Sequence, residues 1–243
     1  MRSLITALSM FTAIPMPHIE WDENGGASAL SLFGVVGAVI GAICAAVCFA
    51  LYQFGVNVLF TTVVLAFLPH ILSGFLHLDG YMDVSDAVLS HRDRDGRLKI
   101  LKDSHCGSFA VIMIVMLASV LLFCTHGALL QSVSPFFFLG VPIISRSAAG
   151  IALLTLKPLA GSSLGAYFTK NKKNIHIITL ALTLAAGLVI VCFTSSPYTL
   201  ILPAIAYAVA LASVYRSLGG INGDVTGFLV CITEAALIAG AIL

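Results

Sequence analysis

Charge is what this sequence has least of. It carries 12 Lys and Arg against 11 Asp and Glu in 243 residues, 9% in all and formally +1. Average soluble domains are about 25% charged, so there is too little polar surface here to cover a globule in water. The 59% apolar content places the chain in a membrane instead. With the two signs balanced and no run of like charge, there is no field for gripping nucleic acid, which is excluded as a partner. No CxxC pair is present. Of the six cysteines at 44, 48, 106, 124, 192 and 231, all but Cys106 lie in apolar runs where a buried thiol is expected. Ser85, Ser104 and Ser108 lack an obvious His partner arranged for nucleophilic catalysis, which argues against a serine hydrolase.

What the sequence has is long apolar runs. A bilayer core of about 30 Å needs roughly 20 apolar residues per helix. Seven runs meet that standard, at 30–54, 56–76, 107–130, 135–156, 174–194, 197–217 and 226–243. The expected fold is therefore all-α: one polytopic membrane bundle over 1–243, with about seven transmembrane helices. Gly34, Gly37, Gly41, Ala45 and Ala46 give the first run a face of small residues through which helix backbones approach closely. Met1 to Pro17 imitates a signal peptide, but no small-x-small cleavage site follows and Pro15 and Pro17 stop the run. A short interfacial or re-entrant helix is expected there.

Charge placement sets the expected orientation. Residue 55 and the loops at 131–134 and 195–196 are uncharged, whereas 1–29, 77–106, 157–173 and 216–225 hold every charged residue except Arg146 and Glu234. Two spans separate each charged segment from the next, so all four fall on one side. Their eleven Lys and Arg assign that side to the cytoplasm. The expectation is a multi-pass protein of the cell (inner) membrane, N-terminus in and C-terminus out, with its chemistry on the cytoplasmic side. Ionisable residues within the membrane are functional candidates by default, although Arg146 and Glu234 also suit a structural pair with each other.

The densest polar segment follows the second run: His77-Leu-Asp-Gly-Tyr-Met-Asp-Val-Ser-Asp86. Asp79, Asp83 and Asp86 are spaced i, i+4, i+7, within about a 60° arc of one helix face. Like charges at that spacing repel, so a positive partner is required. Arg92, Arg94, Arg97, Lys99 and Lys102 come too late to share the turn. A hard divalent cation fits better: Mg²⁺ takes one or two carboxylates and completes its shell with water and phosphate oxygens. Arg92 to Lys102 otherwise reads as an amphipathic helix on the membrane surface. The patch Lys102-Asp-Ser-His-Cys-Gly107 at the mouth of a span suits a phosphate. A second polar patch, Gly219-Gly-Ile-Asn-Gly-Asp-Val-Thr-Gly227, precedes the last run, and Glu234 lies about 15 Å further along a helix, placed to face a cavity beneath Asp224. His77 and His105 border these patches as potential bases or ligands, while His70, His126 and His176 sit at span ends, where interfacial anchoring is expected.

Gly74 to Asp86, then Arg97-Leu-Lys-Ile-Leu-Lys-Asp-Ser104 with Gly107, then Gly219 to Gly227 with Glu234 form an ordered set that resembles the cobalamin synthase family, adenosylcobinamide-GDP ribazoletransferases. The likeness covers nearly the whole chain, including Phe11-Thr-Ala-Ile-Pro-Met-Pro17, and departs from the family at Ala13, His105, Cys106 and Asn222. It implies an Mg²⁺-dependent membrane transferase joining adenosylcobinamide-GDP to alpha-ribazole or its 5'-phosphate with loss of GMP. Transferred to this numbering, Asp79, Asp83, Asp86, Asp224 and Glu234 are expected to hold metal. Asp83, Asp224 and Lys102 would be catalytic, and His77, Arg92, Arg97, Lys102, Asp103, Arg146 and Asn222 would bind substrate. Membrane lipid is an expected partner, and a homo-oligomer or other corrinoid-pathway enzymes are compatible ones. The rival readings are another membrane phospho- or prenyltransferase acting on diphosphates, and a corrinoid transporter.

Overall fold

The computed structural model describes residues 2–20 and 22–243, so Met1, the start of the expected interfacial segment, lies outside the described residues. Among these residues the chain forms twelve α-helices: α1 (Arg2–Phe11), α2 (Gly26–Ser31), α3 (Phe33–Gln53), α4 (Val58–Leu72), α5 (Leu76–Leu89), α6 (Arg94–Ile100), α7 (Ser108–Leu130), α8 (Phe137–Thr155), α9 (Ser163–Thr169), α10 (Asn174–Thr194), α11 (Ile201–Leu218) and α12 (Gly223–Gly240). Six spans are long and apolar enough to cross a membrane, one of them α11 with the short 3₁₀ turn before it, and a seventh results if α4 and α5 count as one bent span.

Two helices form the centre. α8 and α12 are mostly buried, whereas the outward faces of α7, α10 and α11 present Phe123, Phe193, Ile205 and Val209 to the surroundings. Such an inverted surface is stable only against acyl chains. Cys192 stands on that outer surface rather than in the interior expected for it, because α10 turns it away from the bundle. The small-residue face of α3 does pack: a Cβ on Gly37 or Gly41 would collide with the backbone of Pro142 or Leu139, so the two helices are in backbone contact.

The second expected span, 56–76, is shorter than read. α4 ends at Leu72, and α5 leaves at 89° to it. Pro69 lies in the last turn of α4, and Gly74 and Phe75 both adopt φ of 61°, a left-handed step that no helix continues through. The acidic segment therefore rides on a helix of its own, turned away from the span before it. α1 ends at Phe11, whose ring packs against Phe33 at 4.5 Å and Phe168 at 5.9 Å, tying the N-terminal helix to the bundle.

The four charged segments meet at one end. Tyr167 donates to the Asp22 carbonyl at 2.9 Å, Arg94 to the Leu218 carbonyl at 2.9 Å, and Leu159 donates to the Ile221 carbonyl while Ile221 donates to the Lys157 carbonyl across an isolated parallel β-bridge. At the uncharged end, Gln131 donates to the Ile242 carbonyl at 3.2 Å.

Candidate active site

Two glycines bring the acids into place. A Cβ on Gly80 would sit 2.7 Å from the Asp224 carbonyl oxygen, so α5 and α12 cross in contact at that point and Asp224 lies beside the acidic turn. A Cβ on Gly107 would fall on the Asp86 carboxylate, so Gly107 at the start of α7 lets that carboxylate approach. Tyr81, one residue past Gly80, stacks on Phe228 of α12 at 5.3 Å. α5 is thereby held by its apolar side, leaving the other to the acids.

Asp79, Asp83 and Asp86 open on one cavity of about 280 Å³. Its far wall is Ile100 and the loop Asp103 to Gly107. The spacing reading was sound: three carboxylates share a face and a cavity. None of them forms an ion pair; among the described residues the pairs within 4.0 Å are Arg2 with Glu20, His105 with Asp103 and Arg146 with Glu234. Burial, and after it the charges of Asp79, Asp224 and Asp86, push the Asp83 carboxyl up to about 6. The trio therefore lacks a cation. Across the cavity, Asp103 accepts from the His105 backbone at 3.1 Å and stands 2.7 Å from its Nδ1, contacts that hold the Asp103 carboxyl below its usual range.

Among the described residues no three His, Cys, Asp or Glu stand close enough to hold a metal ion by themselves. This donor set fits a cation that draws one or two carboxylates from the protein and the remainder of its shell from phosphate and water, which is how Mg²⁺ is commonly bound. It does not fit a closed, all-protein cage.

Several expected site residues stand elsewhere. Arg146 and Glu234, read as substrate and metal ligands, occupy each other: Arg146 Nη1 donates to Glu234 Oε1 at 2.6 Å, with the side chains 0% and 2% exposed. Glu234 also accepts from Ser145, and Arg146 Nη2 donates to Ser73 Oγ at 2.8 Å. Ser73 caps α4, so the buried pair fastens the break between α4 and α5. His77 is buried with its ring edge-on to Phe33 at 5.6 Å, and it lines no wall of the acidic cavity. His70, expected at an interface, is likewise buried. Asn222 is committed to the fold: its Oδ1 accepts from the Val225 N–H at 3.0 Å, capping α12, and its Nδ2 donates to Asp224 Oδ2 at 2.6 Å, fixing that carboxylate.

Arg92 is exposed and Arg97 half-buried; neither lines the acidic cavity. Lys102 and Asp224 line a second cavity, about 200 Å³, shared with Asn222 and the loop Leu159 to Leu164. That loop escaped the sequence reading. Its signal was a Gly-Ser-Ser between Pro158 and Gly165 in a segment already assigned to the charged end.

The profile of one protein family, described as cobalamin-5-phosphate synthase, matches residues 3–242. Among curated relatives, a protein named adenosylcobinamide-GDP ribazoletransferase from Clostridium botulinum (strain Alaska E43 / Type E3) is 34% identical over 238 residues, 96% of this chain and 94% of its own. Relatives of the same name come from Clostridium perfringens (strain 13 / Type A), at 34% over 96% and 94%, and from Geobacillus thermodenitrificans (strain NG80-2), at 34% over 93% and 89%. No solved structure matches the chain.

Proposed function

The chain belongs to the cobalamin-5-phosphate synthase family, and we propose that it joins adenosylcobinamide-GDP to alpha-ribazole or its 5'-phosphate, releasing GMP, with Mg²⁺ as its cofactor. The observation that carries this reading is a cavity lined by three carboxylates with no Lys or Arg on its wall among the described residues, set beside Asp224. A diphosphate ester is anionic, and acids alone would repel it. Acids that share a divalent cation would grip it. Bound there, Mg²⁺ would neutralise diphosphate charge and polarise the phosphorus–oxygen bond that breaks.

The chain's own residues do the rest by positioning. Asp79, Asp83 and Asp86 would hold the cation and, through it, the donor's diphosphate in the acidic cavity. Beside them Asp224, held by Asn222, accepts the proton of a ribazole ribose hydroxyl. That oxygen bonds to the phosphorus nearer the corrinoid as the bond from this phosphorus to the GMP oxygen breaks, and GMP leaves with the electron pair. The eleven Lys and Arg at the charged end support an orientation with this site on the cytoplasmic side of the cell membrane, N-terminus in and C-terminus out.

The test is GMP release by the detergent-purified protein. Release is expected only with both substrates, to stop with EDTA and to return with Mg²⁺. Protein that releases no GMP under those conditions, yet carries corrinoid across a liposome wall, would overturn the reading in favour of a transporter.

A further inference from the structure

The second cavity lies between the chain that follows α8 and the start of α12, with the end of α6 beside it. The isolated bridge between Pro158 and Ile221, with Leu159 N–H to the Ile221 carbonyl and Ile221 N–H to the Lys157 carbonyl, each 2.9 Å, lays the loop after α8 along the approach to α12. A Cβ on Gly220 would sit 2.9 Å from the Leu159 backbone, so the two strands of chain are in contact. The cavity between them has Asp224 on one wall and Lys102 on another.

Lys102 and Asp103 are neighbours in sequence, yet they line different cavities, because the turn that closes α6 is the partition between the two. Lys102 is exposed, forms no ion pair among the described residues, and is the one cation lining this cavity among them. Its Nζ lies 3.4 Å from the place a Cβ on Gly161 would occupy, so its charge is at the loop itself. Leu98, Leu101, Leu159 and Leu164 give the cavity an apolar stretch of wall, and Ser162, Ser163 and Asn222 add polar groups. The cavity thus offers a carboxylate, an ammonium and a partly apolar wall, and its Asp224 lies beside the acidic turn where the donor's diphosphate would bind.

We infer that this cavity receives the acceptor, with Lys102 binding the 5'-phosphate of a phosphorylated ribazole while Asp224 meets a ribose hydroxyl and the leucines meet the apolar base. The inference rests on the proposed transferase activity and adds to it a residue that sets preference between acceptors. An ammonium in contact with a phosphate dianion is a strong interaction with no counterpart in the unphosphorylated acceptor.

The experiment compares KM for alpha-ribazole 5'-phosphate, alpha-ribazole and adenosylcobinamide-GDP in the purified protein, Lys102→Met and Ala160→Glu. Ala160 is exposed and lines the same cavity, so the second variant adds a negative charge there without disturbing the interior. Each variant is expected to lower the preference for phosphorylated over free acceptor by at least about tenfold, with Lys102→Arg keeping most of it. An unchanged preference overturns the inference. So does a KM rise confined to adenosylcobinamide-GDP, since Lys102 would then serve the donor. A parent protein that releases no GMP with either acceptor refutes the transferase reading itself, an outcome distinct from both.

Discussion

Arg146 and Glu234 are 2.6 Å apart, sealed from solvent, and hydrogen-bonded on to Ser73 and Ser145, whereas Asp79, Asp83 and Asp86 open together on a cavity with no Lys or Arg of the described residues in ion-pair reach. Both groups bear on the same helix. The buried pair fastens the residue at which α4 gives way to α5, and the acids sit along α5 itself. One set of charges is satisfied by the fold and helps to hold it; the other is left unsatisfied by the fold and works against it. Like charge on one helix face costs stability, and a ligand that supplies the opposite charge would relieve it. Sequence position makes both sets candidates while leaving Arg146 and Glu234 a structural pairing as an alternative, and the structure shows that pairing.

That contrast makes opposed predictions for two substitutions. Asp83→Asn should lower GMP release by at least about 10³-fold, roughly 4 kcal/mol of barrier, while the thermal midpoint of the metal-free protein in detergent holds or rises, because a repelled carboxylate has gone. Near-normal turnover would remove the acids from the mechanism, and a collapsed midpoint would make them structural. Arg146→Met should do the reverse, lowering stability by about 3 kcal/mol by leaving Glu234 buried without its partner. The Arg146→Met, Glu234→Met double variant should recover much of that loss, because no lone charge remains. If the single variant stays folded and loses only affinity for adenosylcobinamide-GDP, the pair belongs to the site after all.

Legibility followed range along the chain. The spans could be read because apolar runs of about 20 residues have few alternatives, and the acidic face because i, i+4, i+7 is local geometry. The break at Ser73 to Phe75 could not be placed from hydropathy, since Leu76 and Leu78 beyond it are as apolar as the span before it. Arg146 and Glu234 are 88 residues apart in sequence, and their choice of each other over a ligand is a tertiary fact. Lys102 was read with Asp103 to Gly107 as one patch because they are contiguous; the turn closing α6 sends them to different cavities. That Asn222 caps α12 and holds the Asp224 carboxylate could not be told from its being a ligand contact, because helix caps and ligand contacts favour the same residue types.

The smallest of the expected effects concerns pH. Asp83 is raised from 3.8 to about 6 by burial and by its acidic neighbours. A carboxyl whose pKa is higher in the folded chain than in the unfolded one binds more protons when folded, so the metal-free protein should lose stability as pH rises from about 4 through 6. A bound divalent cation reverses the balance by favouring the ionised form. The rise in thermal midpoint on adding Mg²⁺ should therefore be slight at pH 5 and grow as Asp83 ionises through pH 6, and in Asp83→Asn this growth should flatten. Arg146→Met carries no such change at the acidic cavity and should keep the growth in full on its lower midpoint. An Mg²⁺ effect equal at pH 5 and pH 7 in the unsubstituted protein would mean the ion binds away from Asp83.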